Sequence, residues 1–272
     1  MTERVFQLPK SRSRHLLAAA ALAALAAGCA KSAPQGTTAQ LATYEVVSIK
    51  PHQANANGSI WEWRTADDGF SASGVALKNL IMNAYGLTMP SQISGLPGWA
   101  DSDGFDIEAK MDEDTTAALK KLPKEERVRQ NGLMMQSLLA DRFQLKIHHE
   151  TKALPVYDLA IAKGGLKMKK APADEPEGYS VGSGRLEGKS VPIDSFMGSL
   201  AYEVGRLVVN KTGLTGSYSI TLKWTPDGEQ ETADSGPSIF AAIKEQLGLK
   251  LVPAKGPVDT IVVDRVEKPS PN

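Results

Sequence analysis

Leu77, Leu80, Ile81 and Ala84 stand at i, i+3, i+4 and i+7, the spacing that places four side chains on one face of a helix. Ser73 offers a cap before this segment and Gly86 a stop after it. Further on, Ile193, Phe196, Met197 and Leu200 repeat the pattern behind Pro192, a residue suited to a first helical position. A second helix is predicted from Pro123 or Arg127 to Arg142, and its counterpart from Pro237 to Leu247, ahead of the helix-stopping Gly248. Elsewhere the period falls to two, as in Tyr218, Ile220, Leu222 and Trp224 against Ser219, Thr221 and Lys223. That period predicts strands over 105–109, 145–149, 156–162, 218–224, 249–252 and 260–266, with two earlier ones over 44–49 and 60–64.

These patterns occur twice. Phe70, Val75, Leu77, Leu80 and Ile81 align with Leu186, Val191, Ile193, Phe196 and Met197 at a constant offset of 116. Leu139, Phe143, Leu145 and Ile147 align with Ile243, Leu247, Leu249 and Leu251 at 104, as do Leu154, Tyr157 and Leu159 with Val258, Ile261 and Val263. Fixed offsets that differ only by loop length indicate a repeated unit. The expected fold class is therefore α+β, with two tandem related modules, each a mainly antiparallel sheet carrying two helices on one face. The modules are expected over 44–170 and 185–272, joined by a Pro- and Gly-rich linker over 171–184.

Ahead of the first strand the pattern is of another kind. Arg4, Lys10, Arg12 and Arg14 precede an apolar run from Leu16 to Ala27, too short to span a bilayer core of about 30 Å as a helix. Residues 1–28 read as an export signal. The stretch LAALAAGC resembles a bacterial lipobox, in which Cys29 is acylated and becomes the new N-terminus. Cys29 is the single cysteine, so an intramolecular disulfide is impossible and the exported chain depends on its core. Residues 29–43, small and polar, read as a flexible tether. The expected location is the periplasmic side or the cell surface, with the protein anchored to a membrane by lipid. Without the leader, 27 basic residues face 30 acidic ones, which argues against nucleic acid as a partner.

Five stretches carry a resemblance over nearly the whole chain from Tyr44: VVSIKP, ISGLPGWADSDGFDIEAK, LLADRFQLKIHHETKALPVYDLAIAKGG, VVNKTGLTGSYSITLKWTPD and GLKLVPAKGPVDTIVVDRVEKPS. Together they are similar to the soil-associated acidobacterial protein family, a domain of unknown function. The resemblance implies an exported bacterial protein and supplies no catalytic residues.

Candidate chemistry is sparse. Asp101, Asp103 and Asp106 crowd a glycine-rich stretch after Trp99, yet the aligned segment GLTGSYSITL has no aspartate, so a plain turn is expected and no metal. His148 and His149 are neighbours in a predicted strand and so point to opposite faces. A metal-assisted hydrolase acting on envelope or soil polymers would need His148 and Glu150 on one face with carboxylates such as Asp101 or Asp103. No Gly-x-Ser-x-Gly elbow occurs, and Gly188-Lys189-Ser190 lacks the preceding glycine of a phosphate loop, Ser183 standing in its place. Trp61 and Trp63 share one face of a predicted strand, and with Tyr85 and Trp99 they are candidate ligand-binding aromatics for a glycan or peptide. No catalytic residue and no cofactor is assigned. The expected function is a non-enzymatic binding or interaction domain of the cell envelope, with an envelope protein or glycan as partner.

Overall fold

The computed structural model describes residues 43–53, 62–182, 184–226 and 236–269; Cys29 and Trp61 lie outside them. The chain runs through β1 (Val46–Pro51), β2 (Glu62–Ala66), β3 (Gly69–Ala76), α1 (Leu77–Ala84), β4 (Ile93–Ser94), α2 (Trp99–Ser102), β5 (Gly104–Lys110), α3 (Glu113–Lys120), α4 (Lys124–Arg142) and β6 (Lys146–Ile161). It continues through β7 (Lys169–Lys170), β8 (Gly178–Gly182), β9 (Arg185–Pro192), α5 (Ile193–Val204), β10 (Val208–Asn210), β11 (Ser217–Lys223), α6 (Ile239–Ala242) and β12 (Leu249–Arg265), with a π-turn over Ile243–Leu247 finishing α6. The protein is α+β, as its hydrophobic periods predict.

Two outer sheets have the same internal order, β1-β5-β3-β2 and β7-β11-β9-β8, and all their strand pairs are antiparallel. Each also carries a bulge at the corresponding place. On β3 the register steps from Ala72 to Val75 against Ile107 and Phe105, leaving Ser73 and Gly74 opposite Asp106 alone. On β9 it steps from Gly188 to Val191 against Ile220 and Tyr218, leaving Lys189 and Ser190 opposite Ser219. Gly74 sits at a φ of 67°, a conformation that side chains with a Cβ rarely adopt.

The middle sheet has the order β10-β6-β12-β4. Here the structure departs from expectation, because the strands predicted over 145–149 and 156–162 form one long strand, β6, those over 249–252 and 260–266 form another, β12, and these two pair with each other across the halves. Ala153 faces Pro257, its counterpart at the 104-residue offset, so the pairing runs outward symmetrically from that point. The short strands exchange partners as well. β10 lies parallel to β6, with Val208 beside Tyr157, and β4 lies parallel to β12, with Ile93 beside Ile261. The middle sheet is therefore mixed.

Further differences are local. Ser73 belongs to the β3 bulge and does not cap α1, whose N-cap is Ala76. The aspartate stretch holds the single-turn helix α2 where a bare turn is expected, and the connection expected to be a linker contains β8. The first half carries α3 in addition to the two predicted helices.

Apolar residues on one face of each outer sheet meet the helices in two cores. The first gathers Phe105, Ile107 and Ala109 of β5 with Leu77, Leu80 and Ile81 of α1 and Leu138 and Leu139 of α4. It also takes Ile261 and Val263 from β12. The second gathers Tyr218, Ile220 and Leu222 of β11 with Ile193, Phe196 and Leu200 of α5, and takes Leu159 from β6. Phe196 is fully buried, and burial of such a side chain contributes about 2–3 kcal/mol. Both cores lie within one compact unit, Leu41–Asn272. No helix among the described residues is long and apolar enough to cross a membrane.

Candidate ligand cavities

The three clustered aspartates are separated by their partners. Asp101 pairs with Lys78. Asp103 accepts from Lys268 Nζ at 2.7 Å and from Ser102 Oγ at 3.0 Å, and Lys268 first, then Ser102, holds its carboxyl below the usual range. Asp106 lies on the outer face of β5, where its Oδ1 accepts from Ser73 Oγ at 2.7 Å and the Gly74 amide at 3.0 Å and meets His52 Nδ1 at 2.7 Å. Burial pushes the Asp106 carboxyl up, but the bonds from Ser73, His52 and Gly74 together outweigh it and leave the group below the ordinary carboxylate value. One oxygen thus clamps both bulged residues and the segment after β1.

His148 and Glu150 do share a face of β6. His148 Nε2 lies 3.4 Å from Glu150 and its Nδ1 lies 2.9 Å from Asp264, while Glu150 also accepts from Lys152 at 3.0 Å. His149 turns to the other face, 3.1 Å from Asp259 and edge-on to the Tyr85 ring. Asp101 and Asp103 bond elsewhere, so the carboxylates of the predicted hydrolase set do not join this pair. Among the described residues no group of three or more His, Cys, Asp or Glu is arranged to hold a metal ion.

The candidate aromatics are also dispersed. Trp63 stacks on Phe70 at 4.8 Å with 5° between the planes, Tyr85 meets His149, and Trp99 stands edge-on to Phe105 with Lys268 Nζ 5.7 Å above its ring. No ring contact joins any two of Trp63, Tyr85 and Trp99.

Two of the concave spaces among the described residues have aromatic side chains in their walls. The larger, of about 920 Å³, lies between β8, β9, β11 and α5. On α5 the residues Ser195, Gly198, Ser199 and Tyr202 stand at i, i+3, i+4 and i+7 and line it, while Ile193, Phe196 and Leu200 bury into the core. Its apolar walls include Leu186, Leu222 and Ile239. Within it Trp224 Nε1 donates to Glu203 Oε1 at 2.5 Å, which orients a carboxylate beside the aromatic ring. Tyr202 and Val181 at its mouth are 83% and 51% exposed, an unusual position for large apolar surface. A Cβ added to Gly198 would meet nothing within 4 Å, so a larger side chain at this lining position has open space to fill.

The smaller space, of about 370 Å³, lies beside β2, α1, α3 and α4. Trp63, Phe70 and Tyr44 form its aromatic side, and burial pushes the Tyr44 hydroxyl up to about 12. Asp67, Lys120, Arg127, Asn83 and Asn131 supply polar groups. Both volumes fall in the range of small-molecule sites, about 300–1,000 Å³. Of the described residues that the sequence marks as candidates, only Trp63 lines either space. For the larger one the available signal is a glycine inside a helical pattern, Gly198.

Residues 78–266 match a family described as a protein of unknown function, DUF3738. The chain belongs to the DUF3738 family. No curated protein and no solved structure matches it. The DUF3738 span starts within α1 and ends just past β12, so it includes every described residue of the larger cavity. For the smaller one it includes the α3 and α4 residues, whereas Tyr44, Trp63 and Phe70 precede it.

Proposed function

We propose that this DUF3738 protein is an exported, lipid-anchored binding protein of the bacterial cell envelope, built from two tandem related α+β modules. The ligand of its larger cavity is a small amphiphile with an apolar body and a hydrogen-bond donor. The observation that carries this reading is the 920 Å³ cavity, apolar along Leu186, Leu222 and Ile239, with the Glu203 carboxylate held beside Trp224. An apolar body covers the exposed surface of Tyr179, Val181 and Tyr202 and removes it from water, and the free Glu203 oxygen accepts from a donor that would otherwise stay hydrated. The coincident strand orders, bulges and offsets support descent of both modules from one unit. The basic, apolar and small residues in sequence before Cys29 support export and acylation.

N-phenyl-1-naphthylamine, an apolar fluorophore with one N–H, is the probe. The full-length protein should bind it saturably, and Gly198→Trp should weaken binding at least about tenfold, or 1.4 kcal/mol, without lowering the melting temperature. Binding undiminished in Gly198→Trp sinks the cavity assignment. For the anchor, Cys29→Ala should move the protein from the membrane to the soluble fraction and remove the acyl mass. A variant still fully membrane-bound contradicts acylation at Cys29.

A further inference from the structure

The smaller cavity occupies, in the first half of the chain, the position that the larger one occupies in the second. Shifted by 116 residues, Trp63, Thr65, Phe70 and Asn83 fall on Tyr179, Val181, Leu186 and Ser199. Met111 falls on Trp224 and Met135 on Ile239 at the offsets of their own segments, 113 and 104. Equivalent positions thus line both spaces, but their chemistry has diverged. α3 adds Leu119 and Lys120, and α4 presents Arg127, Asn131 and Met135 at i, i+4 and i+8. The Trp63 ring lies flat on Phe70 at the sheet edge, so its orientation is set before any ligand arrives. Lys120 is paired with Asp67 at 2.9 Å. Arg127 is close enough to Asp67 to help lower its carboxyl but forms no ion pair among the described residues, and the side-chain amides of Asn83 and Asn131 form no hydrogen bond. One lysine and one arginine against one aspartate leave the mouth with a single net positive charge.

We infer that this cavity is a second ligand site, for a pyranose sugar that carries a carboxylate. A pyranose presents an apolar C–H face, which suits the electron-rich Trp63 ring, and equatorial hydroxyls, which suit amides that both donate and accept. The planar guanidinium of Arg127 matches a carboxylate with two parallel hydrogen bonds. The inference goes beyond the amphiphile site and stands without it.

Calorimetric titration of the full-length protein with glucuronate, and with glucose as the neutral counterpart, tests the site. Glucuronate should bind at one site and more tightly than glucose. Arg127→Gln should lower the glucuronate affinity about tenfold and leave glucose unchanged, and Trp63→Ala should abolish both. Gly198→Trp should affect neither. Arg127 is exposed, so its variant remains decisive if Trp63→Ala fails to fold. Absence of any glucuronate heat, or binding indifferent to Arg127→Gln, overturns the inference. Retained naphthylamine binding in the same sample shows that the larger cavity stands apart from that failure.

Discussion

At Asp106 one carboxylate oxygen gathers three partners where the other half of the chain manages without a charge, since Ser219 stands opposite the equivalent bulge. The bulge therefore does not require Asp106, but the fixing of His52 against β3 and β5 does. Asp106→Ala should lower stability by about 1–2 kcal/mol in denaturant titration, solvent at the half-exposed carboxylate moderating the loss. A cost near zero would mean that the three bonds are replaced by water without penalty. The cluster on β6 makes a prediction about pH. Asp264 first, then Glu150, raises the exposed His148 above the ordinary value of 6.5, while Lys152 first, then His148, lowers Glu150 below 4.5. The histidine contribution is complete below 6.5 and disappears as pH rises through the raised value; the glutamate contribution is complete above 4.5 and disappears as pH falls through the lowered one. Replacing His148 with Gln should flatten the decline in melting temperature from pH 6 to pH 8, and an unchanged profile counts against the pairing. Strand parity in the sequence puts His148 and Glu150 on one face, but Asp264 is 116 residues away and only strand pairing brings it in.

Among elements, β6 and β12 are the hardest to read from local pattern. Pro155, Pro253 and Pro257 look like strand breakers, so the pattern predicts two pieces with a turn between for each strand. Tyr157 donates its amide to Leu207, away from β12, so Tyr157 and Pro253 form a pair without mutual hydrogen bonds. Pro257 opposite Ala153 and Lys255 opposite Pro155 share that parity. All three missing N–H groups therefore face away from the partner strand, and the ladder between β6 and β12 loses nothing. α3 shows the reverse case, a helix with clear local signals. Asp112 accepts from the Thr115 amide and hydroxyl, both at 2.7 Å, Glu113 and Asp114 favour the first turn, and Lys120 the last. Asp112→Ala should cost about 1 kcal/mol and speed amide exchange in α3. Because Lys120 lines the smaller cavity, the same change should weaken glucuronate binding and spare the naphthylamine probe, a contrast that equal losses would contradict.

On the scale of the whole molecule, each core is completed by a strand from the other half: Ile261 and Val263 enter the first, Leu159 the second. Fragments 44–170 and 171–272 expressed separately should therefore lack a cooperative thermal transition and regain one when mixed; a cooperative melt by either alone would show that the shared sheet is dispensable. Local patterning in the chain specifies the amphipathic helices α1, α4 and α5 and the helical segment at α6, the α+β class and the recurring offsets, because amphipathic spacing and turn residues act over a few positions. It also specifies which residues enter a core, though not whose core. Only long-range packing sets the exchange of β4 and β10, the pairing of β6 with β12 and the opening of two cavities at equivalent places. Those outcomes depend on contacts between residues about a hundred positions apart, where register and burial act together, and no local pattern encodes their sum.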